Sequence, residues 1–487
     1  MIDNKQALIA SNPVWAFFDE ITRIPRPSKH EEHIIAFLLD FAAKRGFATK
    51  QDKVGDILMT VPATKGCESK EPVILQAHVD MVCEQNEGRN IDFSKDPIEY
   101  YVKDGWVRAQ GTTLGADDGI GVALGLAIAD GGLKGTIEHG PLYCLFTVDE
   151  ETGLTGAYNV EADFLPAARL INLDSEDEGQ IFIGCAGGCT TRASIPASRV
   201  ATPAGMLGVN IKLAGLLGGH SGGDIHLGRA NANKLMARFL HIAQEKCGLR
   251  IAAINGGNLH NAIAREASAV CAVPMAHKED IRVELNCFIA DMEEEFRNVE
   301  PSISFTLETA NAPESLFSEA LQHTVLNAIL ACPHGVLEMS HTMDNLVQTS
   351  TNLASVRTNE ASVDFLTSQR SSVESGKTFA QAMVASTFEL AGAKVEEAEG
   401  YPSWTPNPDS ALVNIACQSY RELFSSEAEV LAIHAGLECG LFLDKKKGLD
   451  MISIGPTLRA VHSPDEAVDI ASVEKFWVFM LDLLKRM

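Results

Sequence analysis

The run Pro72-Val-Ile-Leu-Gln-Ala77 and the word His78-Val79-Asp80 that closes it constrain this chain more than any other stretch. An apolar, β-branched run of this length is expected of a strand buried within a sheet. Open α/β sheets place their functional groups at the carboxyl ends of such strands. His78 and Asp80 fall at that end. Their i, i+2 spacing on extended backbone points both side chains to the same face. One can bind a metal while the other orients it.

The surrounding pattern supports an α/β class. Val14 to Thr22 and His30 to Arg45 carry helical apolar spacing, while Asp56 to Val61, Pro72 to Ala77 and Leu142 to Val148 read as strands. Gly119 to Asp130 has helical length and small residues, and Arg169-Leu-Ile-Asn-Leu-Asp174 is a further short strand ending in a carboxylate. Strands alternating with helices imply a mainly parallel sheet covered on both faces. After about residue 186 the texture changes to glycine-rich turns and a second βα series, with a strand over Gly208 to Leu216 and helices over Ala230 to Glu245 and Lys278 to Val299. Prolines in Tyr401 to Pro408 mark a linker. Beyond it come a helix over Ser410 to Phe424, a strand ending Met451-Ile-Ser-Ile-Gly455 and a helix over Ala471 to Lys485. If the loop Val461 to Glu466 completes the first domain's site, the middle of the chain is an insertion.

A length of 487 residues exceeds one compact core and implies two domains or one with a large insertion. With 46% hydrophobic and 22% charged residues the composition is that of an ordinary soluble globular protein. A formal charge of -25 argues against nucleic acid and anionic membrane surfaces as partners. The segment Met1 to Pro13 has no basic stretch leading into an apolar one, so no secretory signal is expected. The most apolar run, Ile120 to Ala129, is too short to span a bilayer. Eleven cysteines show neither disulfide nor zinc-finger spacing, Cys185 and Cys189 being the nearest pair, and read as reduced, mostly buried thiols of a cytoplasmic protein.

Further polar words stand at the other strand ends: Asp117-Asp118, Asp149-Glu150-Glu151, Asp174 and, near the carboxyl terminus, His462. Each alone has a structural explanation. His78 can be a hydrogen-bonded core residue, Asp117 with Asp118 a helix cap, Glu150 with Glu151 a solvated turn, Asp174 a cap and His462 a surface loop residue. Together they converge, because the carboxyl ends of a doubly wound sheet meet. Two histidines and three carboxylates suit a pair of zinc-like ions with one carboxylate bridging. Asp80 can then orient the His78 imidazole, and Glu150 can act as general base toward water and pass the proton to a leaving amine.

The words Gln76-Ala-His78-Val-Asp80-Met81, Thr113-Leu-Gly-Ala-Asp117-Asp-Gly-Ile-Gly121, Asp149-Glu150-Glu151-Thr-Gly153, Asn172-Leu-Asp174-Ser-Glu176 and Val461-His462-Ser-Pro-Asp465-Glu466 resemble those of the co-catalytic zinc exopeptidases over essentially the whole chain. The second and fourth are most similar to the branch of dipeptidases acting on Xaa-His and carnosine-type dipeptides. The resemblance implies two Zn2+ per chain, with Co2+ or Mn2+ as substitutes: one held by His78, Asp117 and Asp174, the other by Asp117, Glu151 and His462. Many relatives carry glutamate where Asp174 stands, and the shorter carboxylate fits the dipeptidase branch better. Asp80 matches the orienting aspartate and Glu150 the base. An inserted α+β lid would cover residues 187–403, leaving 1–186 and 404–487 as the catalytic domain. His220, in a Gly-His-Ser-Gly turn, matches a stabiliser of the transition state, and Arg370 a residue binding the substrate carboxylate. Asn261 and Gly436 are further candidates for the substrate pocket. A homodimer through the lid is implied in the same way.

The expected activity is hydrolysis of unblocked dipeptides, with a tripeptidase or N-acyl amino acid deacylase on the same fold as alternatives. A rival of another class rests on Gly219-His-Ser221-Gly-Gly223, which fits the G-x-S-x-G elbow of a serine hydrolase. It leaves the acidic words at the strand ends unexplained, and Asp224 to Arg229 delay the helix that should come after the elbow.

Overall fold

The computed structural model describes residues 4–487. The amino-terminal segment read as lacking a secretory signal begins with Met1 to Asp3, which lie outside the described residues. The chain forms two compact units. One runs to Gly184 and resumes over Trp404–Ala432 and Leu437–Met487; the other comprises Cys185–Ser403 with Ile433–Gly436.

The first unit is built on an eight-stranded sheet in the order Ala48–Gln51, Ile57–Val61, Leu142–Thr147, Val73–His78, Arg169–Asn172, Asp450–Ser453, Gln180–Cys185, Glu429–Ile433. Leu142–Thr147, Val73–His78, Arg169–Asn172 and Asp450–Ser453 run parallel. Antiparallel partners flank them, Ile57–Val61 on one side and Gln180–Cys185 on the other. Every residue of Val73–His78 is buried, which is why that strand reads as a continuous run instead of an alternation. In the register of these strands His78 pairs with Thr147, and Gln76 with Asn172. The turns carrying Glu150, Glu151 and Asp174 therefore leave the sheet along the edge at which His78 stands. The helix Ala116–Leu133 starts earlier than the Gly119 expected from its apolar run. It opens on Gly115 at φ +68°, with non-helical backbone and a cis peptide bond at Asp117-Asp118.

The second unit differs from the expected βα series. Its main sheet runs Ser304–Ala310, Met206–Ala214, Ala267–Pro274, Arg250–Gly256, Val347–Thr358, Ser362–Ser371, Gly187–Pro196, Lys394–Tyr401, with antiparallel neighbours throughout. The reason is visible in Met206–Ala214, where Val209, Ile211 and Leu213 are buried while Asn210 and Lys212 are exposed. That period of two marks a sheet packed on one face only. The helices Ala232–Cys247, Asp280–Glu295, Glu319–Ala331 and Glu374–Leu390 contribute to the core on that face. The chain leaves the second unit after Ser403 and rejoins the first at Trp404, within the stretch expected to be a linker; Tyr401 there ends a strand and Trp404 is buried. None of the eleven cysteines is in a disulfide. No helix among the described residues is long and apolar enough to cross a membrane.

Phe239 anchors the second core, with its ring centroid 5.5 Å from that of Phe288 and 6.2 Å from that of Phe305. Phe239→Ala should cost about 3–5 kcal/mol, read as a lower urea midpoint for this unit; an unchanged midpoint would place the core elsewhere.

Candidate metal centre

His78 ends its strand with a fully buried ring. Its Nε2 is 3.0 Å from Asp117 Oδ1 and 3.3 Å from Asp174 Oδ1, and its Nδ1 is 3.3 Å from Asp80 Oδ1. His462 arrives from the loop between Leu458–Arg459 and Ala467–Asp469, its own backbone left-handed at φ +61°. Its Nε2 is 3.1 Å from Asp117 Oδ2 and 3.0 Å from Glu151 Oε2. Asp117 thus faces one histidine with each oxygen. Five of the residues singled out from the sequence, His78, Asp117, Glu151, Asp174 and His462, are brought into one cluster.

The neighbouring acids are held differently. Asp80 Oδ1 accepts from Glu150 N at 3.0 Å, and Asp80 Oδ2 accepts from Glu151 N at 3.2 Å and Ser28 Oγ at 2.7 Å. Burial opposes its charge, but His78 and these donors lower its pKa to about 2. Asp80 therefore ties the His78 strand to the turn bearing both glutamates. Asp118 spends Oδ1 on the Gly121 N–H at 3.0 Å, as a residue of the first helical turn does. Burial, then the charge of Asp174, raises its pKa well above the carboxylate range. Glu150 is also raised, by burial and by the charges of Glu438, Glu151 and Asp117, against the pull of His78. For His78, burial lowers the pKa, yet Asp174, Asp117 and Asp80 together carry it well above the usual value.

These residues fit a divalent cation. One ligand atom from each of His78, Asp117 and Glu151 lies within 4.8 Å of the others. Glu151 Oε1 is buried without a hydrogen-bond partner. Among the described residues the ion-pair partners of Asp117, Glu151 and Asp174 are histidines, with no lysine or arginine to balance them. Imidazole nitrogen with carboxylate oxygen is a donor set that zinc, cobalt and manganese accept.

Sequence reasoning missed what lies one pleat behind the cluster. Glu438 Oε2 accepts from Gln76 Nε2 at 2.6 Å and Thr147 Oγ1 at 3.1 Å. Gln76 Oε1 accepts from Asn172 Nδ2 at 2.6 Å, and Asn172 Oδ1 from Ser453 Oγ at 2.5 Å. One side chain from each parallel strand joins this chain of bonds. The one signal for it in the sequence was Gln76, a lone amide inside an apolar run.

In the second unit, Arg370 Nη1 donates to Tyr401 Oη at 2.7 Å, and Arg370 Nη2 lies 3.4 Å from His220 Nε2. His220 Nδ1 accepts from Gly223 N at 3.0 Å, so the imidazole carries its proton on Nε2. Burial and the Arg370 charge lower its pKa, keeping it neutral. The Asn261 carbonyl accepts from Ser221 N at 2.8 Å, next to His220. A Cβ at Gly436 would meet the Tyr401 ring at 2.7 Å, so Gly436 lies against the same group. Tyr401 was not anticipated. The Ser221 hydroxyl is buried with no hydrogen-bond partner among the described residues. Among the described residues no base is hydrogen-bonded to it, and the helix at Ala232 starts well beyond the turn, which disfavours the serine-hydrolase reading.

The sequence pattern of peptidase family M20/M25/M40 matches residues 74–486. The chain is 41% identical over 478 residues to the cytosol non-specific dipeptidase of Escherichia coli strain K12, covering 98% of each. The fold is similar to the crystal structure of aminoacylhistidine dipeptidase from Vibrio alginolyticus, with a TM-score of 0.91, 41% identity and coverage of 98% of this chain and 96% of that one. It also resembles aminopeptidase PepT from Bacillus cereus, at a TM-score of 0.61 and 16% identity over 99% and 98% of the two chains, a likeness of fold alone. The chain belongs to peptidase family M20/M25/M40.

Proposed function

We propose that this protein is a di-metal dipeptidase that hydrolyses short unblocked peptides, including Xaa-His dipeptides of the carnosine type. The observation that carries the reading is Asp117, which offers one oxygen toward His78 and the other toward His462. His78, Asp117 and Asp174 would hold one zinc ion, and Asp117, Glu151 and His462 the second. Bound there, such ions supply Lewis-acid polarisation of a peptide carbonyl and a lowered pKa for water. Glu150 takes the proton of the attacking water and delivers it to the leaving amine; its raised pKa suits a group that must both accept and return a proton. Asp80 orients His78 and, through the Glu150 and Glu151 amides, the turn that carries base and ligand.

Substrate recognition is assigned to the group around Arg370. Its guanidinium is nearly buried and has no carboxylate partner among the described residues, which suits the C-terminal carboxylate of a peptide. His220, neutral with its proton on Nε2, can donate to the oxygen that becomes negative during attack. Asn261 and Gly436 complete the contacts with substrate. Dipeptide substrates and a cytoplasmic location are supported by likeness to the Escherichia coli cytosol non-specific dipeptidase. A homodimer through the second unit is supported by Phe379 and Leu390, which are 61% and 90% exposed on the helix Glu374–Leu390 and stand eleven residues apart, on one helical face.

Chelation should abolish hydrolysis of carnosine and other dipeptides, and added zinc should restore it; turnover indifferent to chelator would remove the metal centre. Glu150→Gln should keep its metal by elemental analysis while kcat falls about 10²- to 10⁴-fold, and near-normal turnover would remove Glu150 as base. Arg370→Ala should lower kcat/KM for a free dipeptide about 10- to 100-fold but leave its C-terminal amide unaffected. Equal losses on both substrates would exclude carboxylate recognition.

A further inference from the structure

Two buried charges of opposite sign lie beside the cluster without bonding to any ligand side chain. Glu466 is 2% exposed and stands four residues after His462. Its Oε2 accepts from Leu114 N at 2.7 Å and Gly115 N at 3.0 Å, and its Oε1 from Ala116 N at 2.7 Å and Asp117 N at 3.3 Å. One carboxylate thus gathers four consecutive amides, the last belonging to Asp117 itself. Arg26, also 2% exposed, is set between Pro25 and Pro27. Its Nη1 donates to Val79 O at 2.9 Å and Asp80 O at 2.7 Å, and its Nη2 donates to Gly115 O.

The Gly115 peptide is where the two meet, with its N–H on Glu466 and its carbonyl on Arg26. Gly115 is left-handed at φ +68°, and a Cβ there would meet Arg26 Nη2 at 2.6 Å and Met81 Sδ at 2.8 Å. Only glycine gives this approach without strain.

We infer that Arg26 and Glu466 are positioning residues: a charged brace that fixes, through backbone alone, the segments presenting His78, Asp117 and His462. The inference rests on the di-metal reading of the cluster. Desolvating a guanidinium and a carboxylate is costly, and here that cost is offset by backbone bonds, four amides on Glu466 and three carbonyls on Arg26. What the pair adds is direction. The Leu114–Asp117 amides aim at the Glu466 carboxylate in the loop that carries His462, and the carbonyls of Val79, Asp80 and Gly115 converge on the Arg26 guanidinium. That loop holds left-handed residues at Ala460 and His462, at φ +54° and +61°, and the four amide bonds to Glu466 tie it down.

Two variants separate positioning from stability. Glu466→Gln keeps the shape but turns an amide donor toward backbone N–H groups. Arg26→Lys keeps the charge, but one ammonium cannot reach both Val79-Asp80 and Gly115. Zinc affinity is measured by competition with a chromophoric chelator, alongside the Tm of the metal-free protein and its circular dichroism. Both variants should fold and bind zinc at least about tenfold more weakly than the unaltered chain, the range seen when groups supporting metal ligands are altered. A lower metal-free Tm with unchanged zinc affinity would overturn the inference, as would failure of both variants to fold, which would make the pair a folding element. If the unaltered chain binds no zinc, the metal centre itself fails; if it binds and the variants bind equally, only the brace fails.

Discussion

The Asp117 carboxylate, held between two imidazoles, is the interaction on which the rest depends. One partner lies 39 residues before it and the other 345 after it. Around it Asp174, Glu151, Glu150 and Asp118 crowd into a region where water is scarce. Such a concentration of like charge is unfavourable unless something positive resides there. In the protein alone, burial and neighbouring carboxylates push the pKa values of Asp174 and Asp118 up, and the carboxylates around His78 push its pKa up against burial. A bound cation would relieve the same crowding of charge.

The scaffold answers the problem at two depths. Directly behind the cluster, Thr147, Gln76, Asn172 and Ser453 link the four parallel strands side chain to side chain, with Glu438 closing one end. The strand ends, and the turns that leave them, are thereby held in register. In the turn itself, Asp80 binds the amides of Glu150 and Glu151, and Asp149 accepts from Thr152 and Thr155. His78 ends a strand, Asp117 stands in the first turn of a helix and Glu151 in a short helical turn, while Asp174 and His462 are on loops.

Much of this was legible in the sequence because it is local. Val73–His78 announces a buried strand, and Glu150, Glu151 and Asp174 come after strands of its sheet, as expected; Asp117 instead opens a helix, and the strand before it, Trp106–Ala109, belongs to another sheet. The strand order was not legible. The period of two in Gly208 to Leu216 fits a sheet packed on one face, but it does not say which strands lie beside it, because pairing is decided by residues tens of positions away. For the same reason Glu438 and Tyr401 went unnoticed: their partners, Gln76 and Arg370, are 362 and 31 residues distant. Ser221 shows the opposite error. Its glycine pattern is complete, yet the buried hydroxyl has no base, so the motif lacks the surroundings that give it chemistry.

Diffraction at the zinc absorption edge from crystals of the zinc-loaded protein tests the central claim most directly. Two anomalous peaks on opposite sides of Asp117, one facing His78 and the other His462, roughly 3.5–4 Å apart, are the predicted result. A single peak, or peaks that leave Asp117 uncoordinated, would contradict it.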